Sequence, residues 1–318
     1  MAEILSSKLF GQFLWSGGAP KPTNTDWACI RKDHEKSTHP SDVVFWYDQP
    51  YSAKRAYINC DLKSYAKGTI SATNIASALT SMAHSVACAN SSSEWRELYV
   101  APGFDADVIG LLFIYNHDGE YDKDFESELR LAAKKAKPYL PSKQRMFVIG
   151  PADIFFLNNI VMDIRNLKAD GKIPLDNAGI RFYFPNLVRR KLSRIASHRA
   201  ATIEMLASPW ISMEYAMTNG SREMLIYYKG KGTETDEFMY LLDYLLFYQV
   251  TENYGSVSIR YLGDNSRAKA VFSNSVEGYI GQHGELVQGA EALEMLKFET
   301  VPNVVPVFSK IEIGMRDA

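Results

Sequence analysis

The run at residues 108–115, Val-Ile-Gly-Leu-Leu-Phe-Ile-Tyr, constrains this chain most. It is the longest apolar stretch, yet far shorter than the roughly 20 residues a membrane-spanning helix needs. Read as a strand it has no polar face, so other elements must cover it on both sides. The flanking sequence offers that cover. Ile75, Leu79, Met82 and Val86 recur at helical spacing behind a capping Ser71 or Thr73, and the Ala and Ser residues between them allow close packing on a sheet. Residues 124–137 form an amphipathic helix, acidic early and lysine-rich late, as its dipole prefers. An α/β fold is therefore expected.

The remaining elements extend this pattern. Ile4, Leu5, Leu9, Phe10, Phe13 and Leu14 have helical spacing, and Gly17, Gly18, Pro20 and Pro22 then break the chain. Residues 26–30 are too short to assign, and the charged stretch 31–40 reads as exposed. Residues 43–47 and 56–63 read as two strands joined through Asp48-Gln49-Pro50. Residues 145–149 make another strand, followed by a helix capped by Asp153 and ended by Gly171. Beyond it lie a strand at 180–184, a basic segment, and a hairpin pairing 210–216 with 223–228 across Asn219-Gly220. A helix through Phe238, Leu241, Leu242 and Leu245 and a strand at 257–262 follow. A chain of 318 residues exceeds one core. The expected division is 1–172 and 173–318, the second part also α/β.

A hydrophobic content of 46% and a charged content of 23% are those of a globular protein. The net charge of -2 excludes binding to nucleic acid through bulk positive charge, so any such contact must come from a local patch, a metal ion or a partner. Cys29, Cys60 and Cys88 are odd in number and form no C-x-x-C pair, which argues against a disulfide framework and against zinc. Reduced thiols and an N-terminus without a signal-peptide pattern make a cytoplasmic protein the expectation, with no membrane partner.

The chemistry concentrates in two segments. In the first, His39-Pro40-Ser41-Asp42 leads into an apolar strand. In the second, Asn59-Cys60-Asp61-Leu62-Lys63 places Asp61 and Lys63 on one strand face, because side chains two apart point the same way. Mg²⁺ or Mn²⁺ takes few hard oxygen ligands, with water and substrate phosphate filling the rest. Asp42, Asp61 and the Leu62 carbonyl supply such a set, and Lys63 is placed to orient water and stabilise transition-state charge. The competing reading makes Asp61 and Lys63 an ion pair on a solvated strand face.

At these residues the chain resembles the PD-(D/E)XK, or restriction-endonuclease-like, nuclease superfamily. The signature reads Pro40-Ser41-Asp42, with one residue inserted, then Asp61-Leu62-Lys63, and the element order through Ile149 is similar. The resemblance covers about half of the chain. It implies a mixed sheet flanked by helices, cleavage of DNA or less often RNA, and Mg²⁺ or Mn²⁺ dependence. Many members carry a further acid on the first helix, and Glu3 and Glu35 are both open as that residue. A core of this kind with an additional domain is similar to nuclease subunits of bacterial anti-phage defence systems.

Other features have plainer readings beside functional ones. Arg189, Arg190, Lys191 and Arg194 belong to the densest basic run, a phosphate grip or a solvated face. Lys229-Gly230-Lys231-Gly232-Thr233 lacks the spacing of a phosphate loop and reads as a plain loop. Asn116-His117-Asp118 reads as a turn, and His39 as a residue able to approach the metal. The sequence thus points to a metal-dependent DNA endonuclease acting as a homo-oligomer or with a second subunit. The rivals are a catalytically inactive DNA-binding or scaffold subunit and a metal-free interaction protein.

Overall fold

Alternation of side chains along residues 55–65 gives that strand two faces with different neighbours, and the first sheet is built outward from it. The computed structural model describes residues 2–17, 23–34, 36–140, 144–185, 198–283 and 290–302. These fall into two compact units, the first including residues 1–158 and the second drawn from residues 159–185 and 199–302. The first unit runs α1 (Ala2–Gln12), β1 (Ser16–Gly17), β2 (Thr25–Ala28), β3 (Thr38–Ser41), β4 (Val43–Asp48), β5 (Arg55–Tyr65), α2 (Ala72–Ala89), α3 (Ser93–Tyr99), β6 (Ala106–Asn116), α4 (Phe125–Ala136) and β7 (Met146–Ile149). Next, α5 (Pro151–Ala169) carries the chain into the second unit.

The first sheet has the order β1-β4-β5-β6-β7. The pairs β1–β4 and β4–β5 are antiparallel, and β5–β6 and β6–β7 are parallel. The expected mixed sheet with flanking helices is therefore present, and β6 is buried on both faces from Val108 to Asn116. On one face α2 packs its Ile75, Leu79, Met82 and Val86 into a core shared with Tyr57, Val108, Leu112 and Trp95. Gly110 permits this approach, since a Cβ there would lie 2.8 Å from Met82 Sδ and Val86 Cγ2. Around Phe10 of α1 lies an aromatic cluster, with ring centroids 4.4 Å from Trp15, 5.4 Å from Phe45 and 5.8 Å from Phe113. The small ribbon β2–β3 is separate from the main sheet.

Several sequence expectations are refined. Ser71 caps α2 by accepting from the Asn74 amide. Asp124 caps α4 in the same way through Glu126. Asp153 does not cap α5, which begins two residues earlier at Pro151; its carboxylate instead accepts from Gly150 N–H. The stretch at 31–40 is not uniformly exposed, because His34 and His39 are buried. The unassigned stretch near residue 26 is β2, while α3, the helix Ala268–His283 and the strand Lys297–Thr300 lack a strong periodic signal and are found only in the structure.

The second unit adds β8 (Ile180–Phe182), α6 (Ile203–Leu206), β9 (Trp210–Ala216), β10 (Arg222–Tyr228), α7 (Thr235–Phe247), α8 (Val250–Asn253), β11 (Ser256–Tyr261), α9 (Ala268–His283) and β12 (Lys297–Thr300). The anticipated hairpin is β9–β10, turning at Gly220 with φ 85°. Its sheet order is β12-β11-β10-β9-β8. The pairs β8–β9 and β9–β10 are antiparallel, and β10–β11 and β11–β12 are parallel. This repeats the first sheet: a helix before the first strand, two antiparallel pairings, then two parallel ones reached through α7 and α9 as the first are through α2 and α4. Inside it, Arg260 grips Asp163 of α5 (Nε–Oδ2 3.0 Å, Nη2–Oδ1 2.5 Å), and Tyr227 donates to the same carboxylate at 3.0 Å. Among the described residues no helix is long and apolar enough to cross a membrane.

Candidate active site

Asp42 stands immediately before β4, and its partner position across the hairpin is fixed by the pairing of Val43 with Cys60. One step further along this register, Asp42 meets the Asp61 position of β5. The Asp42 carboxylate accepts from the Leu62 backbone amide at 2.6 Å. Lys63 Nζ lies 2.5 Å from Asp61 Oδ1, and both side chains are half-buried. The two acids and the lysine of the sequence motif therefore gather at the β4–β5 end, with the pair Asp61–Lys63 on a single strand rather than across two.

A fourth group joins them. Asn24 has a left-handed backbone, φ 50°. That conformation, which asparagine tolerates, lets its amide donate to Asp42 O at 3.0 Å while its side chain donates to Glu3 Oε1 at 2.8 Å. Burial raises the Asp42 carboxyl above its ordinary range; the Leu62 amide and Lys63 oppose this, and the charges of Asp61 and Glu3 add to it. The charges of Asp61 and Glu3 thus both bear on Asp42. For Lys63, burial favours the neutral amine, but Asp61 and Asp42 outweigh it and hold the ammonium above its usual range. Hard oxygen donors with surplus negative charge are what a divalent ion of the Mg²⁺ class takes, so the residues fit such an ion.

The Asp61–Lys63 face opens on a cleft of about 590 Å³ whose lining includes Lys36, Tyr65, Ser81 and His84. Beneath it a buried polar chain runs from the ribbon to α2. Trp27 Nε1 donates to Ser41 Oγ (3.0 Å), Ser41 Oγ to Asn59 Oδ1 (2.7 Å), and Asn59 Nδ2 to Ser85 Oγ (3.0 Å). Ser41 adjoins Asp42 and Asn59 is two residues before Asp61, so this chain fixes the backbone under both acids. Sequence patterning missed it, although a polar Asn59 inside an apolar strand was a visible signal.

His39 does not approach the acids as the sequence suggested. It is 1% exposed, its ring 5.1 Å from Trp27 and 5.6 Å from His34. Burial pushes its imidazole down to about 4. The picture of dispersed thiols also needs correction. Cys60 is buried alone in the sheet, but Cys29 and Cys88 Sγ lie 3.6 Å apart beside His34. The even spacing of Cys29, His34 and His39 was the available signal.

The turn reading of residues 116–118 holds: Asp118 accepts from Asn116 Nδ2 and from the Lys67 and Glu120 amides. The loop at 229–233 is no phosphate cradle, because its Gly232 and Thr233 amides donate to the Glu237 carboxylate. In the second sheet Trp210 pairs with Tyr228 as Val43 does with Cys60. Pro209, Lys229 and Lys231 consequently take the places of Asp42, Asp61 and Lys63, and the acids have no counterpart there. Arg189, Arg190, Lys191 and Arg194, and Glu35, lie outside the described residues.

Residues 1–153 match the family model described as GAPS4 protein PD-(D/E)XK nuclease domain. No curated protein matches the chain.

Proposed function

We propose that the chain, whose residues 1–153 match the model of the PD-(D/E)XK nuclease domain of GAPS4 proteins, is a metal-dependent DNA endonuclease working in the cytoplasm in prokaryotic anti-phage defence. The observation that carries the reading is the meeting of Asp42, Asp61 and Lys63 at one sheet end, with Glu3 near enough to act on Asp42.

In this reading Asp42 and Asp61, with the Leu62 carbonyl, hold Mg²⁺ or Mn²⁺, and Glu3 is the further acid of the first helix. A bound ion would polarise the scissile phosphate and offset charge on the leaving oxygen. Lys63 stays protonated, so it orients the attacking water by donating to it and stabilises the added negative charge of the transition state. The Leu62 amide holds Asp42 in place throughout. Lys36, on the cleft wall, adds positive charge where a phosphodiester backbone would run. Arg189, Arg190, Lys191 and Arg194 are proposed to bind phosphates on their own account, as the densest basic run of the sequence.

The second unit keeps the strand pairing but has Pro209 and Lys229 in place of the acids, which suits a binding or assembly role. One such acidic centre among the described residues and a net charge of -2 favour a homo-oligomer or a second subunit for cutting both strands. The test is purified chain with linear, circular and nicked DNA in Mg²⁺, Mn²⁺ or EDTA. Cutting in either metal and none in EDTA supports the reading. Metal binding without cutting favours the inactive-subunit alternative.

A further inference from the structure

We propose that Cys29, His34, His39 and Cys88 form a structural zinc site, distinct from the Asp42–Asp61 centre and independent of the nuclease reading. The four side chains come from separate places in the first unit. Cys29 follows β2, His34 ends a 3-10 turn at Lys32–His34, His39 lies on β3, and Cys88 is in the last turn of α2. One ligand atom from each lies within 4.8 Å of every other.

The distances are those of a coordination shell. Zn–S of about 2.3 Å and Zn–N of about 2.0–2.1 Å set tetrahedral edges of roughly 3.8 Å for S···S and roughly 3.6 Å for S···N. The structure has Cys29 Sγ–Cys88 Sγ at 3.6 Å, Cys29 Sγ–His34 Nδ1 at 3.7 Å and Cys88 Sγ–His34 Nδ1 at 3.3 Å. The remaining edges, to His39, are at most 4.8 Å, so closing the shell takes a movement of up to about 1.5 Å, within side-chain reach. The sulfurs are far beyond the bond length of a disulfide, about 2.05 Å, and a disulfide would leave both imidazoles unused.

Chemistry and burial agree with the geometry. His39, Cys88 and His34 are buried and Cys29 half-buried. His39 Nε2 is buried with no hydrogen-bond partner among the described residues, a costly state for a polar atom that a metal bond would resolve. Two thiolates neutralise a divalent ion, and a nitrogen–sulfur set without oxygen donors selects zinc over Mg²⁺ or Ca²⁺. Four protein ligands close the shell, which marks a structural site and not a catalytic one.

Its consequence is positional. The ion ties β3 and the 3-10 turn to the end of α2, and β3 runs directly into Asp42. Zinc at this point would stiffen the ribbon that delivers the first acid to the site.

The experiment is elemental analysis of the full chain, purified with reductant and without chelator, together with Cys29→Ser, Cys88→Ser and Asp61→Ala variants. We expect about one zinc per chain, retained in Asp61→Ala and reduced about tenfold or more in each serine variant. Loss of zinc from Asp61→Ala, or full retention in both serine variants, would place the ion elsewhere and overturn the assignment. Should the serine variants not fold, Co²⁺ exchanged into the unmodified chain decides. Thiolate charge-transfer and tetrahedral ligand-field bands are expected, and their absence refutes the site. Intact mass showing a Cys29–Cys88 disulfide in the native chain also refutes it.

Discussion

Replacing Asn59 by alanine tests whether the buried polar chain beneath the acids holds them in place. Asn59 is 3% exposed, accepts from Ser41 Oγ and donates to Ser85 Oγ. Truncation removes both bonds, but the two neighbours suffer unequally. Ser85 sits inside α2 and can turn its hydroxyl to a carbonyl one turn back. Ser41 is fully buried, already accepts from Trp27, and loses its acceptor. A lost net bond costs about 1 kcal/mol, and an orphaned buried hydroxyl a further 1–3 kcal/mol or so. The expected destabilisation is therefore about 3 kcal/mol. For a unit of this size that corresponds to a fall in Tm of roughly 6–12 °C. Since Ser41 adjoins Asp42, the Mg²⁺ needed for half-maximal cutting should also rise, by about tenfold, as for other outer-shell groups. The assay is a thermal melt in EDTA followed by a Mg²⁺ titration of cleavage. A variant that melts within a degree or so of the parent and needs no more Mg²⁺ would refute the reasoning.

Other outcomes follow from the same structure. Asp163→Ala should cost the second unit about 3 kcal/mol in chemical denaturation, because buried Arg260 loses its paired carboxylate and keeps only the half-exposed Glu299 among the described residues; Asp163→Leu combined with Arg260→Met should cost less than the single change. Burial raises Tyr227, and Tyr254 and Tyr279 are pushed up to about 12 from an ordinary 10. The folded chain keeps protons there that the unfolded chain loses, so this stability is full below about pH 10 and is lost as pH rises toward 12, by about 1.4 kcal/mol per pH unit for each fully shifted tyrosine. Denaturant midpoints measured across that range check it, and a midpoint constant into alkali would contradict it. Neutralising Arg189, Arg190 and Arg194 should weaken DNA binding alike for all sequences and flatten its salt dependence; unchanged affinity and slope would make the run a solvated face.

What could be seen in the sequence was whatever obeys a local period. The strands at β4, β5 and β6, the helices α2 and α4, and the β9–β10 hairpin each announce themselves through spacing or a turn pair. Asp61 and Lys63 share a face by strand geometry alone, and Asp42 opens the neighbouring strand. Interactions set by tertiary approach were hidden. Residues 31–40 look charged and solvated, yet the ribbon folds back and buries His34 and His39 against α2. The partnership of Cys29 with Cys88 spans 59 residues, so no spacing rule reaches it. Glu3 is linked to Asp42 through Asn24, a left-handed residue that bonds to both. The repeated strand pairing of the second unit was equally invisible, because Pro209 and Lys229 stand where the first unit has Asp42 and Asp61 and no motif survives to mark the repeat.

Asp61 and Lys63 carry the proposed chemistry, and it is tested by DNA cleavage with Asp61→Ala and Lys63→Ala beside the parent chain, in Mg²⁺, Ca²⁺ and EDTA. Both side chains are half-buried at the cleft, so truncation should leave the melting profile near that of the parent. The expected result is cutting by the parent in Mg²⁺, little in Ca²⁺ and none in EDTA, with cutting abolished in both folded variants. Undiminished cleavage by either variant, or cleavage by the parent in excess EDTA, would contradict the account.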